Sequence, residues 1–503
     1  MMPRPLRAMV AATALVMLVS GCTGAPAPSN TESGIPAGFE SIYEQQVFWN
    51  PCNDGFDCTT VSAPVDWSDP ESDRIQLAVV RQESTNTTKG SLLTNPGGPG
   101  GSGFDFVSFG YAVTPAAKAD YDVIGWDPRG VGRSTRVTCF TDQKDTEEIL
   151  YGTFDDPYES SGWLDESAAR DQRFADACSA NSGELLAHMD TVSTARDMDL
   201  IRAVLASDKL NYVGYSWGTY LGTVYAQLFP QNVGVMVLDG AYDPSLSGFE
   251  LSQQRMVGFD LAFRSYMQAC LDAEGCPFTG DIAEALGQAT DLIATADDSA
   301  LVNTDGRVLD TATLATGISN SLYYQSYWDG LTKLFTAFIA RDPAPAFEAA
   351  DNYNGRFADG SYGNGLEVTV SVACLDYNFA ADQVATRDRL AQIDAAAPII
   401  GTFIARDDFA VVDIACRNWP VSSATLPTTW DAATPPIVVV GTTRDPATPY
   451  VWSQALVKQL SNAVLVTRDG DGHTGYNKGN TCVDSTVDAY LLDGVVPASD
   501  PNC

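Results

Sequence analysis

Leu210-Asn211-Tyr212-Val213-Gly214-Tyr215-Ser216-Trp217-Gly218, running on into the helical-looking segment Thr219 to Phe229, decides how the rest of this chain is read. A serine at G-x-S-x-G spacing, on a sharp turn between a short strand and a helix, describes a nucleophile elbow. The reason is steric. Strand and helix can approach only if the flanking positions are small, and the hydroxyl is then thrown outward. The pentapeptide alone is a weak signal, since a chain with 42 glycines yields Gly-rich turns containing serine by chance. The strand before it and the helix after it strengthen the reading.

A nucleophile needs an oxyanion hole, a base and an acid. Upstream, Gly90 to Thr94 runs into Asn95-Pro96-Gly97-Gly98-Pro99-Gly100-Gly101-Ser102-Gly103, whose five glycines in nine residues fit neither helix nor strand. Such a loop aims backbone N–H groups at a ligand, which is half of an oxyanion hole. A phosphate loop is the alternative, but no G-K-[ST] ending follows. The expected donors are the N–H of Trp217 and one from the Gly97–Gly98 pair, with Gly98 first. His188 and His473 are the only imidazoles. His473 sits in a Gly-rich loop after the strand Ala463–Val466 and can act as base. His188 precedes the elbow and reads as structural. The strand Ile437–Gly441 leads to Asp445, the candidate acid. Asp469 and Asp471 compete by type, but read as solvated carboxylates in the histidine's own loop. Ser216, Asp445 and His473 then stand in α/β-hydrolase order.

The surrounding chain supports a parallel sheet covered on both faces. Tyr121–Trp126 and Val233–Leu238 are short, continuously apolar strands, and Thr191–Ala206 has helical apolar spacing. Thr59–Trp67 and Ile75–Arg81 alternate as paired strands do. Thr141 to Ser182 reads as irregular and polar. From 246 to 426 helical stretches predominate, among them Gln253–Ala273, Ile282–Ala296, Thr311–Asn320, Tyr327–Arg341 and Gln383–Ala396. This segment is expected to be a helical cap inserted before the last core strands. Its aromatics fit either a substrate channel or simple core packing. The expected division is a leader over 1–21, a tether over 22–38, core over 39–245, cap over 246–426 and core again over 427–503.

At 503 residues the chain exceeds one ordinary core. Its 45% hydrophobic and 10% aromatic content is globular, and 29 basic against 64 acidic residues, a net charge of -35, argues against nucleic acid. Arg4 and Arg7 precede the apolar run Ala8–Val19, a signal-peptide pattern. It ends in Leu18-Val19-Ser20-Gly21-Cys22, which resembles a bacterial lipobox and makes Cys22 the expected lipidation site; an ordinary secretory signal is the alternative. Of eleven cysteines, ten remain beyond Cys22, which suits an oxidising compartment. Nearest-neighbour pairing gives Cys52–Cys58, Cys139–Cys178, Cys270–Cys276, Cys374–Cys416 and Cys482–Cys503. No C-x-x-C pair exists, so no metal site is expected.

Gly-Gly-Pro-Gly-Gly-Ser-Gly at 97–103, Asp-Pro-Arg-Gly-Val-Gly-Arg-Ser at 127–134, Gly-Tyr-Ser-Trp-Gly-Thr-Tyr-Leu-Gly at 214–222, Arg-Asp-Pro-Ala-Thr-Pro at 444–449 and Gly-His-Thr-Gly at 472–475 together resemble the secreted tripeptidyl aminopeptidases and their lipoprotein relatives. These are cap-bearing α/β-hydrolases of the prolyl aminopeptidase clan, and the resemblance runs from about Phe39 to Cys503. Asn95-Pro96 stands where prolyl aminopeptidases usually carry a histidine. The resemblance implies the triad Ser216, Asp445, His473, no cofactor and peptide substrates with a free N-terminus, while the leader and Cys22 imply export and a lipid anchor on the outer face of the bacterial cytoplasmic membrane or in the envelope, with a released form as the alternative. An exopeptidase must bind an α-ammonium, for which Asp376, beside Cys374, is the candidate; capping a cap helix is its structural alternative. A carboxylesterase or lipase would use the same triad, and a non-catalytic binding lipoprotein is the remaining possibility.

Overall fold

The computed structural model describes residues 35–503 apart from Asp54, Ala381, Asp407 and Ser423. The leader and Cys22 lie outside the described residues, as does all of the tether before residue 35. No described helix is long and apolar enough to cross a membrane.

One sheet of nine strands organises the described residues: β1 (Asn50–Asn53), β2 (Phe56–Pro64), β3 (Arg74–Gln82), β4 (Ser91–Asn95), β5 (Asp122–Trp126), β6 (Leu210–Tyr215), β7 (Val233–Asp239), β8 (Ile437–Arg444) and β9 (Ala463–Asp471). Their order is β1-β2-β3-β5-β4-β6-β7-β8-β9. The first three pair antiparallel and β3 meets β5 antiparallel; every pairing from β5 through β4 to β9 is parallel. Parallel strands buried on both faces need apolar side chains, which is why β7 and β8 carry the unbroken runs Val235–Leu238 and Ile437–Val440. This is the α/β-hydrolase fold, and it puts the C-terminal ends of β4, β6, β7, β8 and β9 side by side, where the crevice of an open α/β sheet forms.

Between β7 and β8 the described chain from Gly248 to Arg417 is helical, without a sheet strand. Two of its helices begin in reciprocal capping boxes, Ser247 with Glu250 and Asp281 with Glu284. Most of these helices bury a second hydrophobic cluster of their own, around Phe259, Phe263, Tyr266, Leu314, Ile318 and Phe335.

Packing departs from the expected division in two places. The stretch 141–182 is not irregular: Gln143–Tyr151 and Ser161–Ser182 are helices, and their Tyr151, Trp163 and Leu164 join the cap's cluster. Conversely the helix Gly365–Asp376, within the expected cap, packs Val368, Val372 and Leu375 into the main core. All five nearest-neighbour disulfides are present.

Candidate active site

Ser216 follows β6 with φ 56° and ψ -127°, a left-handed strain that a non-glycine residue bears only where the surroundings impose it. The flanking glycines permit the close packing that holds it there. A Cβ on Gly214 would lie 2.4 Å from the Gly218 carbonyl oxygen, and one on Gly218 would lie 2.8 Å from Asn95 Oδ1. The helix Trp217–Leu228 starts at once, so the Trp217 N–H is one of its free first-turn donors.

Asn95 ends β4, and its Oδ1 accepts the Gly97 N–H at 2.9 Å. That commitment removes Gly97 as a donor. Among the described residues neither the Gly98 nor the Trp217 N–H has a hydrogen-bond partner within the chain. A Cβ on Gly97 would come within 2.8 Å of Ser216 Cβ and 3.0 Å of the Trp217 nitrogen, so the Gly-rich loop lies directly against the elbow. The loop is anchored from behind: Asp127 accepts from Ser102 Oγ, Phe104 N and Arg133 N. In the same motif Arg129 is wholly buried, bidentate on Asp197 at 2.7 and 2.8 Å, and donates to the carbonyls of Pro64, Val65 and His188. The Asp127–Ser134 motif is therefore scaffold. His188 lends it a carbonyl, and its Nδ1 stands 3.8 Å from Asp66.

His473 Nδ1 lies 2.9 and 3.0 Å from the two oxygens of Asp445, and both side chains are buried. A proton on Nδ1 makes this pair and leaves the Nε2 lone pair free to accept. Asp445 also accepts from Ala447 N, Thr448 N, Thr448 Oγ1 and Thr474 N at 2.9 to 3.0 Å, which fixes its plane. Asp469 and Asp471 turn elsewhere: Arg444 takes them at 2.9 and 2.8 Å. Two contacts of the base were not foreseen in sequence. The His473 N–H donates to the Tyr323 carbonyl at 2.7 Å, and the Tyr323 ring meets the imidazole edge-on at 5.4 Å. Tyr323 belongs to the β7–β8 insertion, so that segment holds part of the base's loop. Burial pushes the neighbouring Tyr324 hydroxyl up to about 12, with Tyr327 and Asp445 adding to the rise. Thr448 Oγ1 is also 3.3 Å from His473 Nδ1.

Asp376 makes the bonds of its structural alternative, to the end of a helix. Its oxygens accept the N–H and the hydroxyl of Thr191, the first residue of the helix Thr191–Val204. Burial pushes its pKa up to about 7, with Asp190 adding to the rise against the Thr191 bonds. The geometry is that of a helix-end brace, with one Thr191 donor on each carboxylate oxygen. Among the described residues no group of histidine, cysteine and carboxylate side chains could hold a metal ion.

Residues 402–503 match the family described as TAP-like protein. The chain is 33% identical over 481 residues to serine protease Hip1 of Mycobacterium tuberculosis, covering 91% of each protein. It is 36% identical to carboxylesterase B of the same organism, over 96% of this chain and 94% of that one. To the tripeptidyl aminopeptidase of Streptomyces coelicolor it is 34% identical, over 89% and 82%. With that likeness running through both core and insertion, the chain is a serine hydrolase belonging to the TAP-like family of α/β-hydrolases.

Proposed function

We propose that this enzyme is an exported aminopeptidase that releases short, tripeptide-type N-terminal peptides, with Ser216 as nucleophile, His473 as base and Asp445 as its orienting acid. The hydrolase chemistry is carried by the His473–Asp445 contact at 2.9 Å in a loop bonded, through Asp239, to the strained Ser216 elbow, and the choice of peptide substrate is supported by the 34% likeness to a tripeptidyl aminopeptidase. His473 Nε2 takes the Ser216 Oγ proton as the oxygen attacks the scissile carbonyl. The oxyanion is assigned to the Gly98 and Trp217 N–H groups, which have no hydrogen-bond partner among the described residues. Collapse of the intermediate breaks the C–N bond, and the imidazolium gives its proton to the leaving amine. Water enters by the reverse sequence and frees the acyl-enzyme. The α-ammonium selectivity is proposed without Asp376, whose oxygens serve Thr191. Export and membrane anchoring rest on the 1–21 leader and Cys22; a Cys22→Ser variant found in the medium with no acyl group supports the anchor, and an unaltered membrane fraction sinks it.

The 36% likeness to carboxylesterase B favours one second reading, an esterase with the same machinery. Turnover of a tripeptide anilide against a short acyl ester separates the two. Preference for the anilide, lost on N-terminal blocking and absent in Ser216→Ala, is expected of the aminopeptidase. Preference for the ester regardless of blocking overturns it.

A further inference from the structure

Asp239, the last residue of β7, lies outside the Ser216–Asp445–His473 set and is completely buried. Its backbone carbonyl accepts the Ser216 N–H at 2.9 Å. Its carboxylate accepts the Gly475 N–H on both oxygens at 2.9 Å and the Tyr476 N–H on Oδ2 at 2.8 Å. One residue thus grips the elbow by its main chain and the His473 loop by its side chain. The next residue continues the link. Gly240 donates its N–H to the Val440 carbonyl of β8 at 3.0 Å, and a Cβ there would lie 3.3 Å from His473 Cε1.

The fold alone does not call for a carboxylate here. Burial pushes Asp239 up to about 6, against the pull of the Tyr476 and Gly475 amides, Lys478 and His473. The groups facing it are Lys478 and His473 from the loop after β9, Tyr215 from β6 and Tyr324 from the insertion. A neutral side chain with one acceptor could serve both amides through the Oδ2 position at a smaller desolvation cost. What a neutral group could not supply is negative charge beside the base.

We propose that Asp239 is a positioning residue for the reaction: it fixes the His473 loop against the Ser216 elbow, and its charge stabilises the imidazolium formed when the serine proton moves to His473. The proposal rests on the roles given above to Ser216 and His473. It separates two effects. The amide bonds set geometry, where a displacement of about an ångström costs about 100-fold in rate. The charge acts through space, and at several ångströms in a protein interior amounts to about tenfold.

The test compares wild type, Asp239→Asn and Asp239→Ala by kcat and KM on a tripeptide anilide, pH–rate profiles, fluorophosphonate labelling rates and thermal midpoints. Labelling of wild type at Ser216 comes first; if another residue or none is labelled, the functional reading fails, whatever the Asp239 variants do. With Ser216 labelled, Asp239→Asn is expected to lose about tenfold in kcat with KM within about twofold. Its acid limb moves to lower pH, because the imidazolium has lost a stabilising charge and Asp239 itself no longer takes up a proton. Its thermal midpoint at pH 7 is expected to change little, since removal of the buried charge offsets the contact that its NH2, at the former Oδ1 position, makes with the Gly475 N–H. Asp239→Ala loses about 100-fold or more. A wild-type kcat and unmoved acid limb in Asp239→Asn overturn the proposal. So does a loss in both variants that follows a lowered midpoint and vanishes on cooling. Should Asp239→Ala not fold, Asp239→Asn decides alone.

Discussion

Four donors besides His473 hold the Asp445 carboxylate, so a change of one of its oxygens to an amide group leaves the side chain in place and alters what the imidazole meets. In Asp445→Asn the amide can present its NH2 to Nδ1, which favours the tautomer with the proton on Nε2 and blocks proton uptake from Ser216. The expected loss in kcat is about 10⁴-fold with KM near wild type, read from steady-state kinetics; a loss confined to KM would remove Asp445 from the proton path. Asp376 makes a different prediction. A carboxyl whose folded pKa is raised from 3.8 to about 7 favours folding while protonated, and that contribution is lost as pH rises between those values. Asp376→Asn has no such dependence. Its stability relative to wild type should therefore grow from pH 4 to pH 7, by up to about 4 kcal/mol. Urea unfolding of both proteins at the two pH values measures this, and a constant difference would contradict it. The ratio of free to N-blocked substrate turnover should not change, because the carboxylate is bonded to Thr191.

At the scale of elements, the helix after the elbow and the Gly-rich loop are set against each other by one missing side chain. A Cβ on Gly218 would meet Asn95 Oδ1 at 2.8 Å and the Asn95 carbonyl at 2.9 Å, and Asn95 Oδ1 is what holds the Gly97 N–H. Gly218→Ala should favour the helix by up to about 1 kcal/mol. It should also push the loop that carries Gly98 away from Trp217 N. The predicted signature is a kcat reduced about 100-fold with KM nearly unchanged, and a lowered thermal midpoint, because the buried Asn95 backbone has to shift. Unaltered kcat would mean that the oxyanion donors lie elsewhere. The elbow, the loop and the parallel strands were legible because each is a local pattern: glycine spacing, or unbroken apolar runs such as Ile437–Val440. The helix Ser161–Ser182 was not. Its buried residues have helical spacing, but Ser167, Arg170 and Asp171 stand in the middle of that face, between Trp163-Leu164 and Phe174-Ala175, and break the apolar stripe. Its clearest local mark was the Ser160 cap, whose hydroxyl accepts the Trp163 N–H. Asp376 could not be read either, since its partner Thr191 is 185 residues away and only the folded chain brings them together. The Tyr323 carbonyl that holds His473 is a backbone atom and leaves no trace in side-chain pattern.

For the molecule as a whole, charge and covalent staples act against each other. A chain of net charge -35 repels itself when compact, and the repulsion is eased in any expanded state. Disulfides counter this by making the expanded state less favourable, more so the longer the loop they close. Here the closed loops differ: Cys52–Cys58 and Cys270–Cys276 are 6 residues apart, Cys482–Cys503 21, Cys139–Cys178 39 and Cys374–Cys416 42. Chain entropy assigns about 2 kcal/mol to the shortest and about 4 kcal/mol to the longest. Cys374–Cys416 also ties the helix Gly365–Asp376, packed in the main core, to the helix Asp408–Arg417. Replacing Cys374 and Cys416 together by serine should therefore cost about twice the stability lost on replacing Cys52 and Cys58. Equilibrium urea unfolding of the two double variants beside wild type gives the comparison. Equal losses, or a larger loss at Cys52–Cys58, would show that native contacts around each bridge, rather than the loop it closes, set what it contributes.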